Sequence, residues 1–273
     1  MVQSVRIGVG NQELGTKKGK DHISNLKVLP KRLTFPCSQC KTECASELIG
    51  TYSLVLAGPA SVVVAPVVGL RLSFEALAFV ALVFGGTVAS AILFLGKWSG
   101  AHINPAITLA NLFSGKLERR LFIPYLAFQI AGGLLAGLSL KVALGSLTST
   151  AALGSTRLAA GVSPIEGTLL EALGTFILAI SALSASSFVR TRIKQAALVG
   201  TTLFALILLV GPLTGASFNP ARSLGPSVFS AYYLNQSVYW VGPFLGAGCA
   251  GLIFGRLRKA TNHARRLLTV RMC

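Results

Sequence analysis

Six stretches of the chain are long and apolar enough to cross a lipid bilayer, which requires about 20 residues of helix. They cover about residues 45–68, 74–96, 121–143, 168–189, 195–213 and 237–255. Because backbone polar groups inside a bilayer must be satisfied within the segment itself, each stretch is predicted to be an α-helix. The chain is therefore predicted to be an all-α membrane protein with six transmembrane helices.

The composition agrees with a membrane protein and argues against several other classes. Charged residues make up 12% of the chain and the mean hydropathy is +0.68, whereas a soluble domain carries about 25% charged residues. The net charge of +17 does not indicate a nucleic-acid partner, because no aromatic residues alternate with the basic ones as on a base-stacking surface. The three His residues and the few carboxylates are not arranged as nucleophile, base and orienting group. We therefore expect no enzyme, no cofactor and no metal site.

The basic residues indicate how the chain is oriented. With six spans both termini share one side of the membrane, and that side carries 21 of the 25 Lys and Arg residues. Cytoplasmic loops of membrane proteins carry such an excess. Both termini are therefore predicted to be cytoplasmic, in a multi-pass protein of the cell membrane whose basic residues also attract anionic lipid headgroups.

Two further apolar segments, at about 102–113 and 217–231, are too short to span a bilayer. Each of them begins at the same tripeptide, Asn-Pro-Ala. Short apolar pieces of this kind are typical of re-entrant half-helices, which enter the membrane and return to the same side.

The two halves of the sequence repeat each other, at about 45–143 and 168–255. Glu47-Leu-Ile-Gly-Thr-Tyr52 opens the first span, and Glu171-Ala-Leu-Gly-Thr-Phe176 lies in the fourth. Since each half holds three spans, an odd number, the second half must insert inverted relative to the first. Inverted repeats with interrupted helices place their site near the midplane, at the repeat interface.

The tripeptide Asn-Pro-Ala has the chemistry of a helix start. Asn is a favoured N-cap, Pro fits the first helical position, and a capping Asn leaves its amide NH2 to point elsewhere. Inversion brings Asn104 and Asn219 face to face, each at a helix N-terminus that carries about half a positive charge. One copy alone would be read as an ordinary helix start. Two matched copies favour a pore that repels cations and orients each passing water, which interrupts the hydrogen-bonded chain that protons would follow.

Arg222 lies one turn into the second half-helix. A charge inside a membrane is costly, and it is normally functional or faces water. Its guanidinium can donate to passing oxygens and repel cations. The alternative is a structural ion pair, but the nearby sequence offers no carboxylate. We therefore predict a filter role for Arg222.

The loops that hold these residues resemble the two signature loops of the aquaporin, or major intrinsic protein, family. They read Ser99-Gly-Ala-His-Ile-Asn-Pro-Ala-Ile-Thr108 and Thr214-Gly-Ala-Ser-Phe-Asn-Pro-Ala-Arg-Ser223. The residues that match the two pore motifs are Asn104, Pro105, Ala106, Asn219, Pro220 and Ala221. The similarity covers about residues 45–257 and includes Glu47, Glu171, Gln129 and Tyr239-Trp-Val-Gly-Pro243. It implies a homotetramer of right-handed six-helix bundles with one water pore in each subunit.

The resemblance also implies a narrow filter on the outer side of the pore, formed by Phe84, Ile207, Ala216 and Arg222. The family's strict water channels match this chain at Phe84 and Arg222 but usually carry His and Cys at the other two positions. Losing the His predicts a wider constriction, similar to that of some archaeal and unspecialised members. Ser223, where glycerol facilitators commonly have Asp, and the pair Tyr239-Trp240 favour water. We expect a passive water channel that excludes protons and ions, with glycerol or another small neutral solute as a second substrate.

Four residues are expected to support the pore: Glu47, Glu171, Gln129 and His102. In the family both Glu residues accept hydrogen bonds from the loop backbones and brace the half-helices. Ion coupling is the competing interpretation, but these are the only two intramembrane acids and no chain of acids or His crosses the bilayer. The ring of His102 is expected to pack the loop rather than to relay protons.

Two basic cytoplasmic tails, 1–44 and 258–273, are predicted to flank a channel domain over 45–257. The first tail contains Cys37, Cys40 and Cys44, which supply three soft ligands where a closed zinc site needs four. We expect reduced thiols there, with S-palmitoylation as the alternative.

Two other functions stay open at this point. A secondary transporter also uses inverted repeats and broken helices, and it would show saturable, ion-dependent flux. A junctional or structural membrane protein would conduct little. Swelling or shrinking of vesicles that carry the protein separates these alternatives from a passive pore.

Overall fold

The computed structural model of the protein describes residues 38–70, 73–147 and 152–271. Within them lie eight α-helices, which we number in chain order: α1 (Ser38–Val64), α2 (Phe74–Leu95), α3 (Pro105–Phe113), α4 (Arg119–Leu144), α5 (Pro164–Phe188), α6 (Arg192–Thr214), α7 (Pro220–Ser230) and α8 (Val238–Arg271). Two short 3-10 turns lie between α4 and α5, at Gly145–Leu147 and Ala152–Gly154. No β-strand occurs in these three ranges.

Six of the described helices are long and apolar enough to cross a membrane, namely α1, α2, α4, α5, α6 and α8. This confirms the predicted all-α membrane fold with six transmembrane helices. Their outward apolar side chains are exposed, as at Ile123, Val142 and Leu209, which is the surface that lipid covers in a membrane protein.

Two helices extend beyond the stretches that hydropathy predicted. Helix α1 begins at Ser38 rather than near 45, and α8 continues to Arg271 rather than ending near 255. Hydropathy marks the part of a helix that suits lipid, and a helix can continue into polar surroundings because its hydrogen bonds are internal. Residues 1–37, which include Cys37, lie outside the described residues, whereas Cys40 and Cys44 are buried and free.

The two half-helices begin as the tripeptides predict. Asn104 caps α3 through a hydrogen bond from Ala106 N, and Asn219 caps α7 through bonds from Ala221 N and Arg222 N. In both helices Pro follows the cap, where its missing N–H costs nothing.

Paired glycines allow the inverted halves to cross closely. An added Cβ at Gly85 of α2 would lie 2.6 Å from Gly200 O of α6, and one at Gly200 would lie 2.7 Å from Gly85 O. Gly133 of α4 and Gly225 of α7 meet in a similar way, backbone against backbone. Small residues at such crossings let membrane helices approach closely, and here both crossings join a helix of the first half to a helix of the second.

Candidate functional site

Asn104 and Asn219 each form a hydrogen bond to the opposite half of the protein. Asn104 Nδ2 donates to Phe218 O at 2.8 Å, and Asn219 Nδ2 donates to Ile103 O at 2.9 Å. The side-chain oxygen of each Asn accepts from its own helix, at 2.8 Å from Ala106 N and 3.0 Å from Ala221 N. The sequence predicted that a capping Asn leaves its NH2 group to point elsewhere, and here one N–H of each amide points across the interface into the opposite half.

Each amide nitrogen still has a second N–H, since an Asn side chain carries two donors. Both Asn residues line one cavity inside the bundle, and they are only 4% and 3% exposed. The cavity wall therefore offers two donors, fixed in direction by the first hydrogen bonds, at the point where the two helix N-termini meet.

Two buried carboxylates hold the loops that lead into the half-helices. Glu47 accepts from His102 N at 2.9 Å and from Ile103 N at 2.6 Å. Glu171 accepts from Ser217 N at 2.9 Å and from Phe218 N at 2.7 Å. Because the loop residues before each Asn adopt positive φ angles, such as 45° at Ile103 and 51° at Phe218, these bonds hold a backbone that would otherwise relax.

Each carboxylate has one side-chain partner, and the two partners differ. Gln129 Nε2 donates to Glu47 Oε2 at 2.7 Å, whereas Thr214 Oγ1 donates to Glu171 Oε1 at 2.7 Å. All four groups are buried, the two Glu side chains completely. Buried charge of this kind persists only when it is hydrogen-bonded on several sides.

His102 lines the cavity, and two other side chains hold its ring in place. Its Nδ1 lies 3.3 Å from Thr108 Oγ1, and its ring packs edge-on against Tyr125 at 5.4 Å between centroids. Thr108 gives its own proton to Asn104 O, so we assign the ring proton to Nδ1. That tautomer leaves Nε2 as an acceptor on a side chain that lines the cavity.

Arg222 is fixed on two sides without a carboxylate. Its Nη1 donates to Gly154 O at 2.9 Å, and its Cζ lies 4.9 Å from the centroid of the Phe84 ring. Arg222 is 3% exposed and its Nε has no hydrogen-bond partner in the described structure. The only ion pair among the described residues is Arg120–Glu118, which lies at the surface and does not involve Arg222. The side chain of Arg222 lines the cavity, and its guanidinium carries five N–H groups, so it can donate to a molecule there.

Three of the four predicted filter residues line the cavity, namely Phe84, Ala216 and Arg222. Ile207 is buried nearby but does not line this cavity. A Cβ added at Gly211 would lie 3.5 Å from Ile207 Cγ2 and 4.0 Å from Ala216 Cβ, so these two side chains face the same stretch of α6.

The cavity has a volume of about 340 Å³ and reaches from Arg222 past both Asn residues to a polar mouth. At that mouth it is lined by Glu43, Lys116, Glu118, Ser186 and Gln195. Its wall changes from the apolar contacts of Phe84 and Val88 to backbone and side-chain polar groups near the Asn pair. A channel with one line of polar groups on an apolar wall suits small uncharged molecules that form hydrogen bonds.

Lys116 closes one side of the mouth. Its Nζ donates to Ser186 Oγ at 2.5 Å, to Ser187 Oγ at 2.7 Å and to Leu183 O at 3.4 Å. Burial, followed by the nearby charge of Arg258, lowers the pKa of Lys116 to about 8. Lys116 therefore ties the turn after α3 to the last turn of α5.

Sequence reasoning missed the contacts of several residues that shape the site, including Tyr239, which it named only as part of a family motif. Tyr125 OH donates to Ser99 O at 3.2 Å and Tyr239 OH to Thr214 O at 2.9 Å, and each tyrosine backs one loop. The two occupy equivalent places in the two repeats, which an alignment of the halves would have revealed. Lys116 and Gly154 lie in connecting segments, and no pattern in the sequence marks them.

Comparison with known proteins gives three findings. The model of the family described as Major intrinsic protein matches residues 35–254. Aquaporin NIP1-1 of Zea mays is 34% identical over 229 residues, which cover 82% of this chain and 77% of that protein. The lens fiber major intrinsic protein of Gallus gallus is 39% identical over 196 residues, 70% of this chain and 74% of that protein.

A solved structure is also similar. The aquaglyceroporin from Plasmodium falciparum superposes with a TM-score of 0.69, over 80% of this chain and 94% of that one, at 21% sequence identity. At this level of identity the likeness concerns the fold alone.

Proposed function

The chain belongs to the major intrinsic protein family, and we propose that it is a passive channel that conducts water and excludes protons and ions. One observation carries this proposal: two half-helices meet N-terminus to N-terminus, and each is fixed by an Asn that donates into the opposite half. The aquaporins among its relatives are named as such, and the conduction of water is the function that these geometric features support best.

The exclusion of protons follows from the two remaining Asn N–H groups. A water that accepts from both amides must direct its own hydrogens away from them, along the pore in opposite directions. It cannot then accept a proton from one neighbour while donating to the other. The positive ends of α3 and α7 also disfavour a hydronium ion at this point.

The exclusion of other cations is assigned to Arg222, with the half-helix dipoles. Its guanidinium is permanently charged and is fixed beside Phe84 at the far end of the cavity. An N–H group of this guanidinium can replace a hydrogen bond that a passing water or hydroxyl group loses on entry. Only a molecule without positive charge exchanges its hydration for this donor at low cost.

Glycerol or another small neutral solute is the second candidate substrate. The observation that favours it is the small side chain of Ala216, next to an apolar Phe84 wall. An apolar side opposite a donor matches a short polyol, which has carbon atoms on one side and hydroxyl groups on the other.

Stopped-flow measurement on proteoliposomes tests the proposal. Under an osmotic gradient of an impermeant solute, vesicles with the protein should shrink much faster than empty vesicles, with a low activation energy. A pH-sensitive dye inside the same vesicles should report no added proton leak when a potassium diffusion potential is applied. A glycerol gradient then shows whether the second substrate passes.

Other outcomes point to the other functions. Shrinkage no faster than that of empty vesicles would indicate a structural protein, and saturable flux that requires an ion gradient would indicate a transporter. A fast proton leak would contradict the role given to the Asn pair.

The proposal includes an assembly and an orientation. Four copies would form a tetramer with one pore in each subunit, in the cell membrane, with both termini in the cytoplasm and the basic helix ends against anionic lipid headgroups. The mass of the protein in nanodiscs and protease access to a C-terminal tag in sealed vesicles test these two points.

A further inference from the structure

The short turn at Ala152–Gly154 connects the two repeats and lies inside the bundle. Leu153 and Thr156 are 0% and 1% exposed. Three successive residues have positive φ angles, 41° at Ala152, 56° at Leu153 and 70° at Gly154. Non-glycine residues rarely adopt this conformation, and it persists where the surroundings fix it, commonly at functional sites.

The turn places one carbonyl against the guanidinium of Arg222. Gly154 O accepts from Arg222 Nη1 at 2.9 Å. Gly154 itself is packed against α1, since an added Cβ would lie 2.6 Å from Pro59 O and 2.8 Å from Pro59 Cα. The carbonyl therefore has little freedom to move, and Arg222 is held between it and the Phe84 ring.

A comparison of the two repeats shows why the turn is needed. In the first half, Thr108 Oγ1 is contacted by Gln129 Nε2 at 2.8 Å and by His102 Nδ1 at 3.3 Å. Ser223 occupies the equivalent place in the second half. The residues there that correspond to His102 and Gln129 are Ser217 and Pro243, and a proline side chain has no donor.

Thr156 takes the place of the missing donor. Its Oγ1 lies 2.9 Å from Ser223 Oγ, which lies 2.5 Å from Ser217 Oγ, and Ser217 Oγ donates to Asn219 O at 3.0 Å. A line of three buried hydroxyl groups thus runs from the connecting turn to the pore Asn. Ser223 follows Arg222 directly in the chain, so a shift of Ser223 moves the backbone that carries the guanidinium.

We propose that Thr156 and Gly154 are positioning residues for Arg222, and that this connecting turn sets how strictly the pore rejects neutral solutes larger than water. The inference rests on the proposed function. The first repeat supports its half-helix with residues of its own, whereas in the second repeat, which carries the filter Arg, part of that support comes from the connection between repeats. Thr156 acts through Ser223 and touches no permeating molecule, so water conduction itself does not require it.

The test compares Thr156→Val with Thr156→Ser in proteoliposomes, with the glycerol-to-water permeability ratio as readout. Val has the shape of Thr but lacks its hydroxyl, and Ser retains the hydroxyl. The ratio should rise about two- to tenfold in Thr156→Val, the factor that corresponds to one lost buried hydrogen bond. It should return to the wild-type value in Thr156→Ser, and water permeability should change little in either variant.

Thr51→Val is the matched control. Thr51 is also a fully buried threonine, but its Oγ1 has no hydrogen-bond partner in the described structure, so its replacement should leave the ratio unchanged. If Thr156→Val does not fold, Ser223→Ala removes the other hydroxyl of the Thr156–Ser223 hydrogen bond. It should raise the glycerol-to-water ratio by a similar factor. Gly154→Ala should raise it as well, because the added Cβ displaces the carbonyl that holds Arg222.

The outcomes separate this inference from the function on which it rests. Wild-type vesicles that shrink no faster than empty ones would overturn both. Wild-type vesicles that conduct water, together with folded Thr156→Val or Ser223→Ala variants that keep the wild-type ratio, would overturn the positioning role alone. An equal rise in the ratio for Thr51→Val would also overturn it, because the effect would then be one of general packing.

Discussion

Asn104 and Asn219 each donate a hydrogen bond to the main-chain carbonyl of the residue that precedes the other. The two caps are therefore one structural unit made from both repeats. Anything that displaces one Asn changes the hydrogen bonding of the other, and this coupling can be measured.

Asn104→Ala and Asn219→Ala should each lower the free energy of unfolding by about 1–3 kcal/mol, since each loses a helix cap and leaves a buried carbonyl without its donor. The double variant should cost less than the sum of the two, because the residues share one network. Reversible unfolding in mixed detergent micelles measures all four proteins. Strict additivity would contradict the coupling.

Replacement of the bracing carboxylates should destabilise the loops. Glu171 accepts three hydrogen bonds, at 2.7 to 2.9 Å, and Glu171→Gln puts an NH2 group where one oxygen accepts. We expect a loss of about 2–4 kcal/mol, and a similar loss for Glu47→Gln, because a buried donor is then left facing other donors. Glu118→Gln is the control, since its ion pair with Arg120 is exposed and such pairs contribute about 0–1 kcal/mol. Equal effects at Glu118 and Glu171 would argue against bracing.

Arg222→Val should widen the range of permeating molecules. The variant removes a fixed positive charge and the donor beside Phe84, so the glycerol-to-water permeability ratio and the proton leak should both rise, by about tenfold or more if one charge-assisted interaction is lost. Arg157→Val is the matched control, because Arg157 stacks on Tyr232 at 5.3 Å and does not line the cavity. If Arg222→Val keeps the wild-type permeability ratio and proton leak, Arg222 does not act as the filter.

The close crossing of α2 and α6 should not tolerate a side chain at Gly85 or Gly200. Gly85→Ala and Gly200→Ala should each cost about 1–3 kcal/mol, because their Cβ atoms meet a main-chain carbonyl of the other helix. Gly86, the next residue on α2, has open space at its Cβ position, so Gly86→Ala should be neutral or stabilising by about 0.5–1 kcal/mol. Thermal unfolding followed by circular dichroism distinguishes the three variants, and a loss at Gly86 as large as at Gly85 would contradict the crossing.

The stability of the protein should depend on pH through Lys116, in the turn after α3. Burial lowers the pKa of its ammonium in the folded protein to about 8, below the value of about 10.4 for an unperturbed Lys. Between these two values the unfolded chain binds more protons than the folded one, so this residue contributes stability that increases as pH rises. The difference in melting temperature between the wild type and Lys116→Met should therefore shift in favour of the wild type from pH 7.5 to pH 9.5, by an amount that solvent screening keeps small. A difference that does not change with pH, or changes in the opposite direction, would contradict the lowered pKa.

The six spans, the two half-helices and their inverted relation could all be predicted from the amino-acid sequence. Each of these depends on information that is local in the chain: a run of apolar residues, a cap followed by Pro, or a motif that occurs twice. The residues of the pore motifs and of the filter were predicted from the resemblance to a known family. The ends of α1 and α8 were misjudged because hydropathy reports on the solvent that a helix prefers, whereas the helix itself ends where its hydrogen bonds end.

The partners of these residues, by contrast, depend on how the two halves pack against each other. Asn104 meets Phe218 and Gly154 meets Arg222 across long stretches of sequence, and no local pattern encodes a contact that forms when the two halves pack together. For the same reason the sequence names no acceptor for the Asn amides, because the carbonyl that accepts the first N–H of each belongs to the other repeat. Local residue chemistry fixes what each segment can become, and the close approach of the two halves at Gly85 and Gly200 fixes which polar groups then face one another and which remain for a molecule in the pore.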